Sequence, residues 1–141
     1  MASRKISDLH PIVAEKAKAM IDELGKQGID IIITSTLRTM DEQAELYASG
    51  RTKTGKIITN ADAGQSWHNY GLAFDIVPVI SGKCAWDSPY WQQIGQAGRD
   101  KGLIWGGDFK KFKDYPHFEY HAELRLAEAK QRWDTKQELL A

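Results

Sequence analysis

Hydrophobic residues recur along the chain at two spacings, one typical of helices and the other typical of strands. Residues 12–27 carry apolar side chains at helical spacing and predict an amphipathic helix that ends at glycines. The β-branched run IDIIITST at 29–36 predicts a strand, and LAFDIVPV at 72–79 predicts another. The alternation in the second strand predicts one face with Leu72, Phe74 and Ile76 and an opposite face with Ala73, Asp75 and Val77.

Helix-capping residues predict two further helices. Thr39 and Glu42 form a T-x-x-E capping box at the start of a short helix. Ser88 and Pro89 suit the N-cap and the first position of another helix, which should extend to about Lys101.

Four other segments complete the predicted fold. Residues 50–65 are rich in Gly, Thr and polar side chains and predict a long surface loop, while LIWGG at 103–107 and HFEY at 117–120 predict short strands. Residues 122–141 predict a C-terminal helix that docks on the core or on a partner through a stripe of Leu126, Ala129, Trp133 and Leu140. We therefore expect a single α+β domain over 1–141, with a small antiparallel sheet flanked by helices.

The composition is that of an ordinary globular protein. The 141 residues are 42% hydrophobic and 27% charged, with 19 Lys and Arg against 19 Asp and Glu. This balance argues against steering toward nucleic acid or an anionic membrane surface. No apolar stretch approaches the length of a membrane span, about 18 residues, and the N-terminus lacks the apolar core of a signal peptide. We therefore expect the chain to be made and kept in the cytoplasm.

Two features that can carry chemistry in other proteins are not expected to do so here. The single cysteine, Cys84, excludes an intrachain disulfide and a Cys-rich zinc site, and we expect it to be a small, partly buried hydrophobic residue. GRTKTGKI at 50–57 matches G-x-x-x-x-G-K, but Ile57 stands where Ser or Thr should bind magnesium. The segment also follows a predicted helix instead of a strand, so nucleotide binding is disfavoured.

The residues suited to chemistry are concentrated in two segments, SWHNYGLAFD at 66–75 and DYPHFEY at 114–120. His68 and Asp75 are seven residues apart, so they can face a common point only if a turn lies between them. A metal ion would be such a point, and His117 offers a third ligand. Two histidines and one carboxylate suit zinc and leave a position open for water. Asp114 is then free to act as a general base.

The remaining histidines fit this site less well. His121 lies four residues after His117, a spacing that suits a helix, but the alternation of HFEY favours a strand. We therefore do not expect His121 to be a ligand, and we expect His10, near the N-terminus, to be solvated. If Asp114 is not the base, Glu119 is the next candidate.

Two separated signatures resemble those of a known family. SWHNYGLAFD has every fixed position of S-x-H-x-x-G-x-A-x-D, the signature of the M15 zinc peptidases, which include D-alanyl-D-alanine dipeptidases and carboxypeptidases of the bacterial cell wall. WGGDFKKFKDYPHFEY at 105–120 resembles the second signature of one branch, the L-alanyl-D-glutamate endopeptidases, which include phage endolysins. TSTLRTMDEQAELYASGRTKTG also resembles the family, with Arg38 in the position of an arginine that contacts substrate or the carboxylates of the site.

The resemblance implies a single zinc peptidase domain of the hedgehog and D-Ala-D-Ala peptidase type. The implied roles are Zn²⁺ binding by His68, Asp75 and His117, catalysis by Asp114, and substrate binding by Arg38 and Ser66. Arg38 would offer its guanidinium to a carboxylate or a developing oxyanion, and Ser66 would orient a ligand or cap the loop.

For function, the resemblance implies hydrolysis of the L-Ala–D-Glu bond of peptidoglycan stem peptides by a phage or prophage endolysin. The alternatives are a D,D-carboxypeptidase or dipeptidase of the same family and a non-catalytic zinc- or wall-binding module. We expect a monomer without a separate wall-binding domain and without stable membrane association. It would be made in the host cytoplasm and reach periplasmic peptidoglycan only after holin-type permeabilisation of the membrane.

Overall fold

The computed structural model describes residues 2–140, and within them the chain forms four helices and a five-stranded sheet. The helices are α1 (Pro11–Lys26), α2 (Met40–Ala48), α3 (Trp91–Asp100) and α4 (Leu126–Asp134). The strands are β1 (Asp30–Ser35), β2 (Ala73–Ile80), β3 (Lys83–Cys84), β4 (Ile104–Trp105) and β5 (His117–Glu119). The predicted α+β class is confirmed. In the described part of the chain, no helix is long and apolar enough to span a bilayer.

The sheet is antiparallel throughout, and β2 lies at its centre. The strand order is β1-β2-β5-β4, with β3 also paired to β2. Asp75 on β2 is paired with Ser35 on one side and with His117 on the other. The register of β1 shifts between Ile33 and Ser35, so this strand is irregular where it passes Asp75.

The two faces of the sheet have different roles. On one face, Phe74 and Phe118 are paired across β2 and β5 with stacked rings whose centroids are 5.7 Å apart. Side chains alternate along a strand, so Asp75, His117 and Glu119 lie on the opposite face. The prediction that Phe74 and Asp75 point to opposite faces of β2 is therefore confirmed.

Helix α3 packs closely on the Phe118 face because of two glycines. A Cβ added at Gly98 would lie 2.4 Å from the Phe118 ring, and one at Gly95 would lie 2.3 Å from the Trp105 ring. Neither position has room for a side chain. The core between the sheet, α1 and α3 is completed by residues including Val13, Ala17, Met20, Leu24, Ile94 and Ala97.

Most predicted elements are confirmed to within a residue at each end. This holds for the helix predicted at 12–27 and for the strands predicted at 29–36 and 72–79. The capping box is also confirmed, since the Thr39 hydroxyl accepts from the Glu42 N–H at 3.1 Å and the Glu42 carboxylate accepts from the Thr39 N–H at 2.8 Å. No helix or named strand lies within residues 50–65.

Two predicted helices are shorter in the structure. Helix α3 starts at Trp91 with Tyr90 as its N-cap, so the start predicted at Ser88 and Pro89 was wrong. The Ser88 hydroxyl accepts from the Tyr90 N–H at 3.0 Å and stabilises the turn before the helix instead.

The C-terminal helix occupies only Leu126–Asp134 of the predicted 122–141, and residue 141 lies outside the described part. Beyond it the chain turns, and Leu139 and Leu140 return to the core. Of the predicted stripe, Ala129 and Leu140 lie in the core and Leu126 packs against it, whereas Trp133 is 40% exposed.

Two predicted environments were also wrong. Cys84 is exposed on the short strand β3, which the sequence did not predict. His10 is not solvated, because its side chain is only 10% exposed and caps α1 by accepting from the Ile12 N–H at 3.2 Å. Its other ring nitrogen lies 2.6 Å from the Glu138 carboxylate. The prediction for His10 was wrong because its position near the N-terminus does not reveal that it caps a helix and is buried there.

Candidate metal centre

The turn predicted between His68 and Asp75 is present. His68 lies in a short 3-10 helix, Trp67–Tyr70, which ends at Gly71 with a left-handed φ of 69°. The Ser66 hydroxyl caps this helix by accepting from the His68 N–H at 3.2 Å. Glycine adopts the left-handed conformation at little cost, so the chain reverses there and enters β2. Asp75 then follows on the strand beside His68.

The three predicted metal ligands meet at one point. His68 Nε2 lies 3.3 Å from Asp75 Oδ1, and His117 Nδ1 lies 3.2 Å from the same oxygen. One ligand atom from each residue lies within 4.8 Å of the others. This prediction of juxtaposition is confirmed, and the donor set of two imidazoles and one carboxylate fits zinc with a position to spare.

The outer nitrogens of both histidines are held by the protein. His68 Nδ1 lies 2.8 Å from the carbonyl oxygen of Thr36, and His117 Nε2 lies 2.7 Å from the Glu119 carboxylate. A carbonyl oxygen can only accept, so His68 donates from Nδ1, and Nε2 is the nitrogen that faces Asp75 and the metal position. Such outer contacts set the orientation and tautomer of a metal-binding histidine.

The electrostatics of the site favour ionised carboxylates. Burial raises the pKa of Asp75, but His68 and His117 outweigh it and hold that pKa far below its usual range. Burial lowers the pKa of His117, yet its hydrogen bonds with Asp75 and Glu119 raise it to about 10. Burial also raises the pKa of Glu119, and the hydrogen bonds with His117 and His121 lower it to about 2. Positive charge is therefore favoured between these carboxylates, where a divalent cation would supply it.

The ligand atoms line a cavity of about 410 Å³ that also contains the predicted catalytic and substrate residues. Arg38, Ser66 and Asp114 all line it, and Asp114 is exposed toward solvent. Although Asp114 keeps part of its surface in solvent, desolvation by the surrounding protein raises its pKa above the usual value, and the nearby His117 and Arg38 offset this only in part. A carboxylate with a raised pKa beside a metal site is suited to proton transfer.

Arg38 is fixed at the wall of this cavity. Its Nη1 donates to the Gln43 side chain at 2.9 Å, and Gln43 donates in turn to the carbonyl oxygen of Ala61 at 2.6 Å. Burial lowers the pKa of Arg38, against the raising effect of the charges on Asp75 and other carboxylates. The guanidinium remains charged at any ordinary pH and is held ready for an anionic group.

Sequence reasoning named Glu119 only as a substitute base and set His121 aside. The structure joins both to the site, because Glu119 accepts from His117 and from His121 at 2.7 Å each. His121 contributes no atom to the group of ligand atoms, so its exclusion as a ligand agrees with the structure. The period-two spacing of His117, Glu119 and His121 was the signal that could have indicated this chain of contacts.

The fold and the site together are those of a metal-dependent hydrolase domain, with three candidate ligands and the separate carboxylate of Asp114 lining one cavity. A family model described as D-alanyl-D-alanine carboxypeptidase matches residues 59–120. The chain is 45% identical over 123 residues to the peptidoglycan L-alanyl-D-glutamate endopeptidase CwlK of Bacillus subtilis (strain 168), covering 80% of this chain and 74% of that protein. The chain therefore belongs to the M15 family of peptidases, whose members are zinc-dependent.

Two further proteins are similar over most of this chain. The L-alanyl-D-glutamate peptidase of Listeria phage A118 is 29% identical over 109 residues, covering 74% of this chain. This chain spans only 35% of the length of the phage protein. The crystal structure of the Serratia marcescens L-Ala D-Glu endopeptidase ChiX is 27% identical with a TM-score of 0.62, covering 84% of this chain and 87% of ChiX. The chain therefore has the fold of the M15 peptidases, as predicted.

Proposed function

We propose that this peptidase hydrolyses the L-Ala–D-Glu bond of peptidoglycan stem peptides. The observation that carries the proposal is the meeting of three metal ligands, the carboxylate of Asp114 and the guanidinium of Arg38 in one cavity. The Bacillus, Listeria phage and Serratia proteins described above are all named for this bond, which supports its choice over other peptide bonds.

The residues of this chain divide the work of peptide hydrolysis. His68, Asp75 and His117 would hold zinc, which supplies Lewis-acid polarisation of the scissile carbonyl group. Asp114 accepts a proton from the attacking water molecule and returns it to the amine as that group leaves. The raised pKa of Asp114 makes the first transfer easier, because a stronger base accepts the proton of water more readily, and it keeps the group protonated until the amine leaves.

Arg38 gives the site a preference for anionic substrates. Stem peptides carry free carboxylates, including that of D-Glu on the leaving side of the scissile bond. A guanidinium binds a carboxylate through two parallel N–H donors, which fixes orientation as well as charge. The hydrogen bond from Arg38 to Gln43 holds this fork in place before substrate arrives.

The test is digestion of Gram-negative peptidoglycan with the purified protein, with and without a chelator, and mass spectrometry of the products. Chelator-sensitive release of peptides with new D-Glu amino termini is the expected result. Release of D-Ala alone would instead establish the carboxypeptidase alternative, in agreement with the description of the matching family model. Absence of any product from zinc-loaded protein would establish the non-catalytic alternative.

We further propose that the enzyme is a monomeric phage or prophage endolysin that lyses the host. The likeness to the Listeria phage peptidase supports this role, although the more similar Bacillus relative also makes a bacterial enzyme the competing source. An enzyme made in the host cytoplasm needs holin-type permeabilisation to reach periplasmic peptidoglycan. Expression with and without a co-expressed holin tests this, because only the combination should lyse cells; lysis without holin would overturn the route.

A further inference from the structure

Behind the metal site, the Glu119 carboxylate is shared between two histidines. Its Oε1 lies 2.7 Å from His117 Nε2, and its Oε2 lies 2.7 Å from His121 Nε2. Glu119 is only 7% exposed, so both of its oxygens depend on these partners for hydrogen bonding. A buried carboxylate with a partner on each oxygen is held in one orientation, whereas a single partner would leave it free to rotate.

The contacts determine which nitrogen carries each proton. An ionised carboxylate can only accept, so both histidines donate to Glu119 from Nε2. His117 Nδ1 faces the ionised Asp75 and donates to it in the metal-free site, so metal binding would displace this proton while the Nε2 proton stays hydrogen-bonded to Glu119. His121 Nδ1 is buried without a hydrogen-bond partner among residues 2–140, so a proton on that nitrogen would have no acceptor.

His121 is itself held by stacking. Its ring lies on the Trp67 ring with the centroids 4.0 Å apart and the planes 8° from parallel. Trp67 directly precedes His68 in the 3-10 helix. The contacts thus run from His117 through Glu119, His121 and Trp67 back to His68, and they join the two histidine ligands by a path outside the metal site.

We propose that Glu119 and His121 are positioning residues of the metal centre. Glu119 holds the Nε2 proton of His117 and aims its Nδ1 at the metal position, and His121, stacked on Trp67, holds the Glu119 carboxylate in place. Neither residue is needed as a ligand or as the base. The inference concerns the metal site of the proposed peptidase and does not depend on which peptide bond is cleaved.

Four variants separate the hydrogen bonds from the volume of the side chains. Glu119→Ala removes the acceptor for His117, while Glu119→Gln retains an acceptor oxygen of similar reach. His121→Phe retains the stacking on Trp67 but removes the donor, while His121→Gln retains a donor at the position of Nε2. The matched control is Glu138→Ala, which removes a carboxylate 2.6 Å from His10 in a pair that does not line the site cavity.

Two measurements on each variant avoid any reliance on peptide hydrolysis. The zinc dissociation constant is measured by competition with a chromophoric chelator, and the protonated imidazole nitrogens of the zinc-loaded protein are read from long-range ¹H–¹⁵N NMR spectra. We expect Glu119→Ala to weaken zinc binding about 10- to 100-fold, the usual effect of losing such a contact. The His117 resonances of the zinc-loaded variant should show that the Nε2–H form, with Nδ1 on the metal, is no longer the only form.

The conservative variants decide between positioning and a purely structural role. The zinc dissociation constants of Glu119→Gln and His121→Gln should stay within about threefold of the parent value. That of His121→Phe should lie between the values of the parent and of Glu119→Ala. Unchanged zinc affinity in Glu119→Ala would overturn the role of Glu119. Equal losses of zinc affinity in Glu119→Gln and Glu119→Ala would overturn it as well. Unchanged affinity and tautomer in His121→Phe would overturn the role of His121.

The design also covers poor folding and failure of the proposed function. If Glu119→Ala does not fold, the comparison of Glu119→Gln with His121→Phe decides the question. Zinc affinity that falls as much in Glu119→Gln as in His121→Phe would refute positioning by the acceptor oxygen. A loss of similar size in Glu138→Ala would show a general stability effect and refute the proposal. A failed muropeptide digestion would leave these zinc and tautomer measurements unaffected.

Discussion

His117 Nδ1 lies 3.2 Å from Asp75 Oδ1 because the two residues are directly paired in the register of β5 and β2. The sheet therefore makes this ligand pair, and the turn before β2 has only to add His68. A slip of one residue in either strand would move one of the two side chains to the face of Phe74 and Phe118. The core that fixes the register thus also fixes the metal site.

Replacing Asp114 should separate metal binding from catalysis. We expect Asp114→Asn to bind zinc as the parent does, because Asp114 is not among the grouped ligand atoms. Its rate should fall about 10²- to 10⁴-fold, the usual contribution of a positioned acid–base group. Zinc content by atomic absorption and the rate of muropeptide cleavage measure the two effects. Near-full activity would make the base assignment wrong and direct attention to Glu119, which lines the same cavity.

The acid limb of the pH–rate profile should reflect the raised pKa of Asp114. The base acts when ionised, so activity is present above its pKa and is lost as pH falls through it. Burial raises this pKa, and the midpoint of the acid limb in kcat/KM should therefore lie above 3.8, the ordinary value of an aspartic acid. The profile is measured on zinc-saturated enzyme, with zinc content checked at each pH. A midpoint at or below 3.8 would contradict the assignment.

The juxtaposition of His68 and Asp75 could be predicted because the information for it is local. Within SWHNYGLAFD, a capping Ser66, a left-handed Gly71 and the alternation of β2 are enough to bring His68 next to Asp75. His117 could be added because a short strand was predicted there, although its pairing with Asp75 could not. Which strand pairs with which, and in what register, depends on the packing of the whole sheet and not on the local sequence.

The errors fall where distant contacts decide the outcome. His10 is buried because it caps α1 and contacts Glu138 from the other end of the chain, which no local pattern indicates. The roles of Glu119 and His121 depend on a stacking contact with Trp67, more than fifty positions earlier in the chain. Cys84 is exposed because the short strand β3 pairs only with the end of β2, at Val79 and Ile80.

Exchange of Arg38 for lysine should damage substrate recognition although charge is retained. Lysine lacks the planar pair of donors, and Gln43 loses the partner that now lies 2.9 Å away. Loss of a charged hydrogen bond costs about 1.5–3 kcal/mol, so kcat/KM should fall about 10- to 100-fold. The matched control is Arg51→Lys, in the loop beside the cavity but not lining it. Equal effects of the two exchanges would contradict a specific role for Arg38.

Removal of the metal should lower both activity and stability. Zinc binds the folded site and not the unfolded chain, so each increase in free zinc above its dissociation constant stabilises the folded state. Dialysis against a chelator should abolish muropeptide cleavage and lower Tm, and stoichiometric zinc should restore both. Magnesium is the control, because it prefers oxygen ligands in octahedral geometry. Equal recovery with magnesium would contradict a site built on two imidazoles.

Gly71 should be required both for folding and for placing His68. Gly71 has φ 69° and Gly28 has φ 80°, so alanine at either position is forced into the left-handed region, at a cost of about 1–2 kcal/mol. The two glycines differ in their surroundings. A Cβ at Gly71 would lie 3.1 Å from the carbonyl oxygen of Asp8 and 3.2 Å from the backbone nitrogen of His10, whereas one at Gly28 meets nothing within 4 Å.

We therefore expect Gly71→Ala to lower the free energy of unfolding in urea more than Gly28→Ala does, with both measured on metal-free protein. The Gly71 N–H also donates to the His68 carbonyl at 3.4 Å, so a shift of the chain at Gly71 moves the histidine. Zinc affinity should consequently fall in Gly71→Ala and remain at the parent value in Gly28→Ala. If both variants lose the same stability and neither loses zinc affinity, the turn is tolerant of a side chain and the close approach to Asp8 and His10 has no role in forming the metal centre.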